Sequence, residues 1–202
     1  MAELYLPTLN TGGGIVVVES TAINAGLVAL GRAPAGGSIS YYYPESTGCD
    51  AWYGRDPSPP NDLATWKDNN YTPEEEATVS VDDSNSVDYE CLFDSGWQYA
   101  GHLFMFHIDE ASPSQLDILL KMYNSGGEYG DLEIWNADST AWELQDSYSD
   151  GAPEVFSLTG QITSSVTDYI DGSGNVHVVV YDDGAGVDAG CEVRFARLKV
   201  TP

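Results

Sequence analysis

Two short runs in this sequence, His102–Ile108 and Val176–Tyr181, stay apolar on both faces of an extended chain. In the first, His102, Phe104, Phe106 and Ile108 alternate with Leu103 and Met105. A strand that is apolar on both faces has to be covered on both faces, so it belongs in the middle of a layered β structure. That requirement constrains the fold more than any other feature of the chain.

The segments around these runs carry the same period. Ala77–Val81 alternates, and so does Asp131–Asn136, with Leu132 and Ile134 on one face. Residues 136–140 read as a turn into Ala141–Leu144, and Glu154–Leu158 reads as a short strand. Gln115–Tyr123 fits two templates. Leu116, Ile118, Leu120 and Met122 alternate, yet Ser112, Pro113 and the spacing of Leu116, Leu119, Leu120 and Tyr123 also suit a helix. The β context favours strand. Ile162, Val166, Tyr169 and Ile170 suit a two-turn helix that Asp171–Gly174 ends. In Glu192–Val200 the apolar phase slips between Phe195 and Leu198, which predicts a β-bulge near Ala196. The expected fold is all-β: an antiparallel, jelly-roll-like β-sandwich with an N-terminal arm or extra strands.

Charge is the second constraint. The 202 residues hold 32 acidic side chains and 7 basic ones, for a net charge of −25. So few Lys and Arg cannot neutralise a nucleic-acid backbone or hold an anionic membrane surface. No apolar run is long enough to span a bilayer as a helix, so membrane insertion is not expected. Disorder is excluded too, because 42% of the chain is apolar and 11% aromatic. Dispersed carboxylates with only three Lys suit a chain living in brine, where molar salt cuts the Debye length to about 3 Å. An acidic extracellular protein from a moderate habitat is the alternative. The opening MAELYLPTL lacks a basic region followed by an apolar stretch, so a cleaved secretory leader is not expected.

Residues 1–45 differ from the rest. Up to residue 40 the only charges are Glu3, Glu19 and Arg32. Ile15, Val16, Val17, Val18, Leu27, Val28 and Leu30 form apolar stretches there, and desolvating them costs no unpaired carboxylate. They are the expected subunit contacts of an N-terminal assembly segment, with edge strands of the main domain as the alternative. Residues 46–202 form the expected sandwich domain, including a Pro-rich loop at 54–62.

No motif specifies catalysis. There is no GxSxG, and no Cys has an obvious His partner. His102 and His107 fall on opposite faces of one strand and cannot share a metal from it, and His177 starts another strand. No enzyme activity and no required cofactor are expected. Ca²⁺ is the cation the loops could hold, at Asp82 and Asp83 beside Asn85, or at Asp182, Asp183 and Asp188. Solvated clusters are the default in so acidic a chain. Cys49, Cys91 and Cys191 match no metal spacing. They read as three buried thiols, or as one disulfide and one free thiol. Trp52 and Tyr53, beside the Pro-rich loop, are the candidate ligand-facing aromatics, whereas Trp135 and Trp142 should pack across a ladder.

Over residues 65–202 the series TWKDNNYT, SVDDS, GHLFMFHID, LEIWNADSTAWEL, ITSSVTDYIDGSGNVHVVVY and CEVRFARLKV resembles a jelly-roll-like β-sandwich module of archaeal and viral surface proteins. The layout is similar to that of carbohydrate-binding modules. With the acidic composition it also resembles virion proteins of tailed viruses of halophilic archaea: capsid decoration, turret or tail components. That resemblance implies a non-enzymatic structural protein assembled in the host cytoplasm onto the virion. Its partners would be further copies of itself, other virion proteins such as a major capsid protein, and host surface glycans. The alternative is a secreted carbohydrate-binding or adhesin β-sandwich module at the cell surface or outside the cell.

Overall fold

The computed structural model describes residues 38–56, 58–64, 66–91, 99–124, 129–149, 154–183 and 189–202. The apolar residues at 15–18, 27, 28 and 30 that the sequence nominates as subunit contacts lie outside them. Gly37–Pro202 is one compact unit.

Two antiparallel sheets make a β-sandwich, as the sequence predicts. The strands are β1 (Ser40–Tyr42), β2 (Asp50–Asp56), β3 (Asn69–Asn70), β4 (Val87–Cys91), β5 (Tyr99–His107), β6 (Gln115–Asn124), β7 (Tyr129–Asn136), β8 (Ala141–Ser149), β9 (Glu154–Ile162), β10 (Asn175–Asp183) and β11 (Ala189–Thr201). One sheet has the order β1-β11-β6-β9, with β4 also pairing β11. The other has six strands in the order β3-β2-β5-β10-β7-β8. The two doubly apolar runs, β5 and β10, pair with each other at the centre of the six-stranded sheet, with Phe104 opposite Val178.

The core fills the space between the sheets. Phe104, Phe106, Leu132, Ile134, Val176, Val178 and Val180 face Leu116, Ile118, Leu120, Leu158, Ala196, Leu198 and Val200, all at most 3% exposed. Alternation therefore turns Leu103 and Val179 to the outer face of the six-stranded sheet, yet both are fully buried there. Something covers that face.

The local expectations divide. Gln115–Tyr123 is a strand. Ala77–Val81 is not: Pro73–Ser80 forms a helix, α1. Thr72 accepts from the Glu75 backbone N–H while the Glu75 carboxylate accepts from the Thr72 N–H, a capping box that outweighs five alternating residues. The helix expected over 162–170 shrinks to one 3-10 turn at Val166–Tyr169, because Ile162 pairs with Leu116 as the end of β9. The bulge in β11 lies between Val193 and Phe195, slightly earlier than expected. The loop expected at 54–62 starts later, since β2 runs to Asp56. Within the segment set apart at 1–45, Ser40–Tyr42 pairs with Val200–Leu198 of β11 and is part of the sandwich. Among the described residues, no helix is long and apolar enough to cross a membrane.

Candidate functional site

Register builds the outer face of the six-stranded sheet row by row. Trp52, Leu103, Val179, Glu133 and Leu144 stand side by side across β2, β5, β10, β7 and β8. The next row holds Gly54, Gly101, Tyr181, Asp131 and Ser147. Tyr99 stands opposite Asp56 one step further on, and Trp135 opposite Trp142 on the other side. Trp135 and Trp142 pack edge to face with centroids 5.3 Å apart, the cross-ladder pair expected from the sequence.

The cover is the segment running up to Trp66. Trp66 is 2% exposed and lies over the two glycines of the second row. Its ring is 5.7 Å from that of Tyr181, which is 6.0 Å from that of Tyr99. Just before it, the Asp62 carbonyl accepts from the Trp142 indole N–H at 3.2 Å. Just after it, the Lys67 ammonium sits 4.4 Å over the ring of Trp52. The Trp66 backbone has φ +74°, the left-handed region, which is rare for a bulky side chain. Its indole N–H is buried with no hydrogen-bond partner. A floor of Trp66, Leu103, Val179 and Tyr181 thus carries a rim of half-buried Trp52, Tyr99 and Trp142, with Leu144 exposed beside it.

Polar groups are set into this face. Tyr181 donates to the Glu133 carboxylate at 2.9 Å. Burial raises the Glu133 carboxyl above its usual range, nearby Asp131 adds to the shift, and the Tyr181 bond opposes it. His177 is 4% exposed, and its Nε2 lies 3.1 Å from Asp171. Burial holds the His177 imidazole below its usual value despite that carboxylate. Asp171, though partly buried, is held down to about 2 by the Asn175 and Ser173 N–H groups, the Asn175 side chain and His177. The pair is therefore neutral imidazole donating to ionised carboxylate, and the buried Nδ1 of His177 has no partner.

The structure does not bring Trp52 and Tyr53 together. Tyr53 turns inward, with its ring 5.7 Å from Tyr71 and 6.3 Å from His102. His102 is fully buried. Its Nδ1 accepts from the Tyr71 hydroxyl and its Nε2 donates to the Cys191 carbonyl at 2.7 Å. Burial pulls it down to about 4. His107 lies against Asn175 on the opposite face. All three histidines are tied into the framework.

The pair Asp82 and Asp83 is occupied by this chain's own groups. Both Asp82 oxygens accept from Lys121, at 2.8 and 2.6 Å, and Asp83 accepts from the backbone and side chain of Asn85. Asp182 is buried, while the Asp183 side chain and Asp188 lie outside the described residues. Among the described residues, no three His, Cys, Asp or Glu are grouped to hold a metal ion. Cys49 is a buried free thiol, Cys191 is buried, and the Cys91 side chain lies outside the described set.

Sequence reasoning did not single out Trp66, Tyr99 or Lys67. The glycines at 54 and 101, each inside an otherwise ordinary strand, were the available signal for a close approach.

A family model described as "Uncharacterized protein, C-terminal domain" (AF_1625_C) matches residues 50–191. No curated protein matches the chain. Among solved structures, the xylan-binding module CBM15 is 10% identical with a TM-score of 0.48, over 82% of this chain and 97% of its own. TmCBM61 in complex with β-1,4-galactotriose is 9% identical with a TM-score of 0.31, over 58% and 70%. LamA_E269S from Z. galactanivorans, in complex with laminaritriose and laminaritetraose, is 9% identical with a TM-score of 0.32, over 83% and 100%.

Proposed function

The chain belongs to the AF_1625_C family, and from the geometry of its six-stranded sheet we propose that it is a non-catalytic, carbohydrate-binding β-sandwich module. The observation that carries this reading is the rim of Trp52, Tyr99 and Trp142 around a fully buried floor on one outer face. Aromatic rings give a ligand broad apolar contact area at small entropic cost, and a few fixed polar groups orient it. The Asp62 carbonyl and the Lys67 ammonium supply those groups here. Lys67 is exposed, so its ammonium can leave the Trp52 ring when a sugar stacks there.

The non-catalytic part rests on how the candidate acids and bases are used. The histidines hold the framework, and Glu133 is committed to Tyr181. Such a module works at the cell surface or outside the cell, where polysaccharide is met. The virion reading rests on the resemblance over residues 65–202, on composition and on the segment 1–45, and no feature of the described residues favours it. Halophilic origin likewise rests on composition alone.

Affinity electrophoresis through gels containing neutral polysaccharides tests the proposal. Retardation on at least one glycan, lost in Trp52→Ala and in Trp142→Ala, is the expected result. Unretarded migration on every glycan, or retardation unchanged in both variants, overturns it. Release of reducing ends during incubation overturns the non-catalytic part.

A further inference from the structure

The other sheet has an outer face of opposite character to the rest of the chain. The described residues include six basic side chains, and four of them, Lys121, Arg194, Arg197 and Lys199, lie on β6 and β11. Phe195 stands opposite Lys121, Arg197 opposite Leu119 and Lys199 opposite Asp117. Their neighbours Ala196, Leu198 and Val200 fill the core, so alternation turns these residues outward.

Three of the four cations are held by carboxylates of this chain. Lys121 pairs with Asp82 at 2.6 Å, Arg194 with Glu192 at 3.1 Å and Lys199 with Asp117 at 2.9 Å. Arg197 has no carboxylate partner among the described residues. Its guanidinium lies over the rings of Tyr41 and Phe195, at 5.2 and 5.8 Å, and its Nε is buried with no hydrogen-bond partner. With 32 acids to 7 bases, a carboxylate neighbour is the easiest partner for this chain to supply. The lack of a carboxylate beside Arg197 is therefore not a product of scarcity. Beside it, Tyr41 is 44% exposed.

We propose that Arg197 and Tyr41 form a second ligand site, on the face opposite the aromatic rim, for a carboxylate-bearing sugar of an acidic glycan. The planar guanidinium fork matches a carboxylate in a way an ammonium does not. Tyr41 offers the ring on which the sugar rests. That the carboxylate belongs to a sugar rests on the carbohydrate-binding reading above. The net charge of −25 repels a polyanion at long range, but at about 0.15 M salt that field decays within about 8 Å, and the contact at Arg197 decides.

Calorimetry of the full chain at that salt, with trigalacturonate and with neutral galactotriose as probes, tests the site. Trigalacturonate is expected to bind at least about tenfold more weakly to Arg197→Gln, the scale of one lost charge-assisted hydrogen bond. Arg197→Lys should fall between, Tyr41→Ala should also weaken binding, and Trp52→Ala should change it little. Trigalacturonate binding that is absent, or unchanged in Arg197→Gln, while neutral polysaccharide is retained through Trp52, overturns this site and leaves the module reading standing. Failure of acidic and neutral glycans alike overturns both. An Arg197→Gln effect confined to sedimentation of the chain assigns the face to a second copy and also overturns the site.

Discussion

The indole of Trp66 lies directly on the α-carbon of Gly101, so that a Cβ built there would stand 2.6 Å from the ring and 2.6 Å from the Val180 carbonyl oxygen. A Cβ built on the opposite glycine, Gly54, would likewise stand 2.6 Å from the Trp66 α-carbon. The neighbouring strands β2 and β5 thus give up two side chains to seat one.

Gly101→Ala is therefore expected to destabilise the fold by about 1–3 kcal/mol, the range for overpacking a filled core. The Val180 carbonyl belongs to the β10 backbone and cannot step aside as a flexible side chain could. Gly172→Ala, with nothing within 4 Å, should stay within about 0.5 kcal/mol of the parent. Urea unfolding of the three proteins checks the contrast.

Stability should fall with acid through His102. Its folded pKa of about 4 lies below the ordinary 6.5. Between those values the unfolded chain binds more protons than the folded one, so stability rises with pH across the window and is complete above it. The interval corresponds to at most about 3 kcal/mol. His177, also held low by burial, acts in the same direction. Unfolding free energies from pH 7 to pH 4 should decline less steeply in His102→Gln than in the parent, whatever its stability at pH 7. Parallel slopes would contradict the assignment.

Thr72→Ala should cost about 1 kcal/mol by removing the cap of α1. Loss of denaturation midpoint at unchanged slope is the expected signature.

The thiols of Cys49 and Cys191 should react with a disulfide reagent only on unfolding. Both are buried, and burial pushes the Cys49 thiol above its usual range, with the His107 N–H opposing. Following reaction against urea concentration should show labelling that tracks the unfolding transition.

The sandwich was legible in the sequence because its signals are local: β5 and β10 are short runs apolar on both faces, and β6 carries a period-2 pattern without interruption. Pro73–Ser80 was misread because Ala77–Val81 alternates, while the deciding signal, Thr72 followed by Pro73 and Glu75, lies just upstream. Trp52 and Tyr53 were nominated together, although neighbours on a strand point to opposite faces. The aromatic face itself could not be read locally. It depends on Trp66 meeting Gly54 and Gly101, which register alone brings together, and on which side of the sheet the segment after β2 crosses.

Indole N–H resonances report most directly on the central claim, that the outer face of the six-stranded sheet binds glycan. During titration with a retained polysaccharide fragment, the signals of Trp52 and Trp142 are predicted to shift saturably, and the buried Trp66 signal to move less. Saturable binding that leaves both rim signals in place would contradict the account.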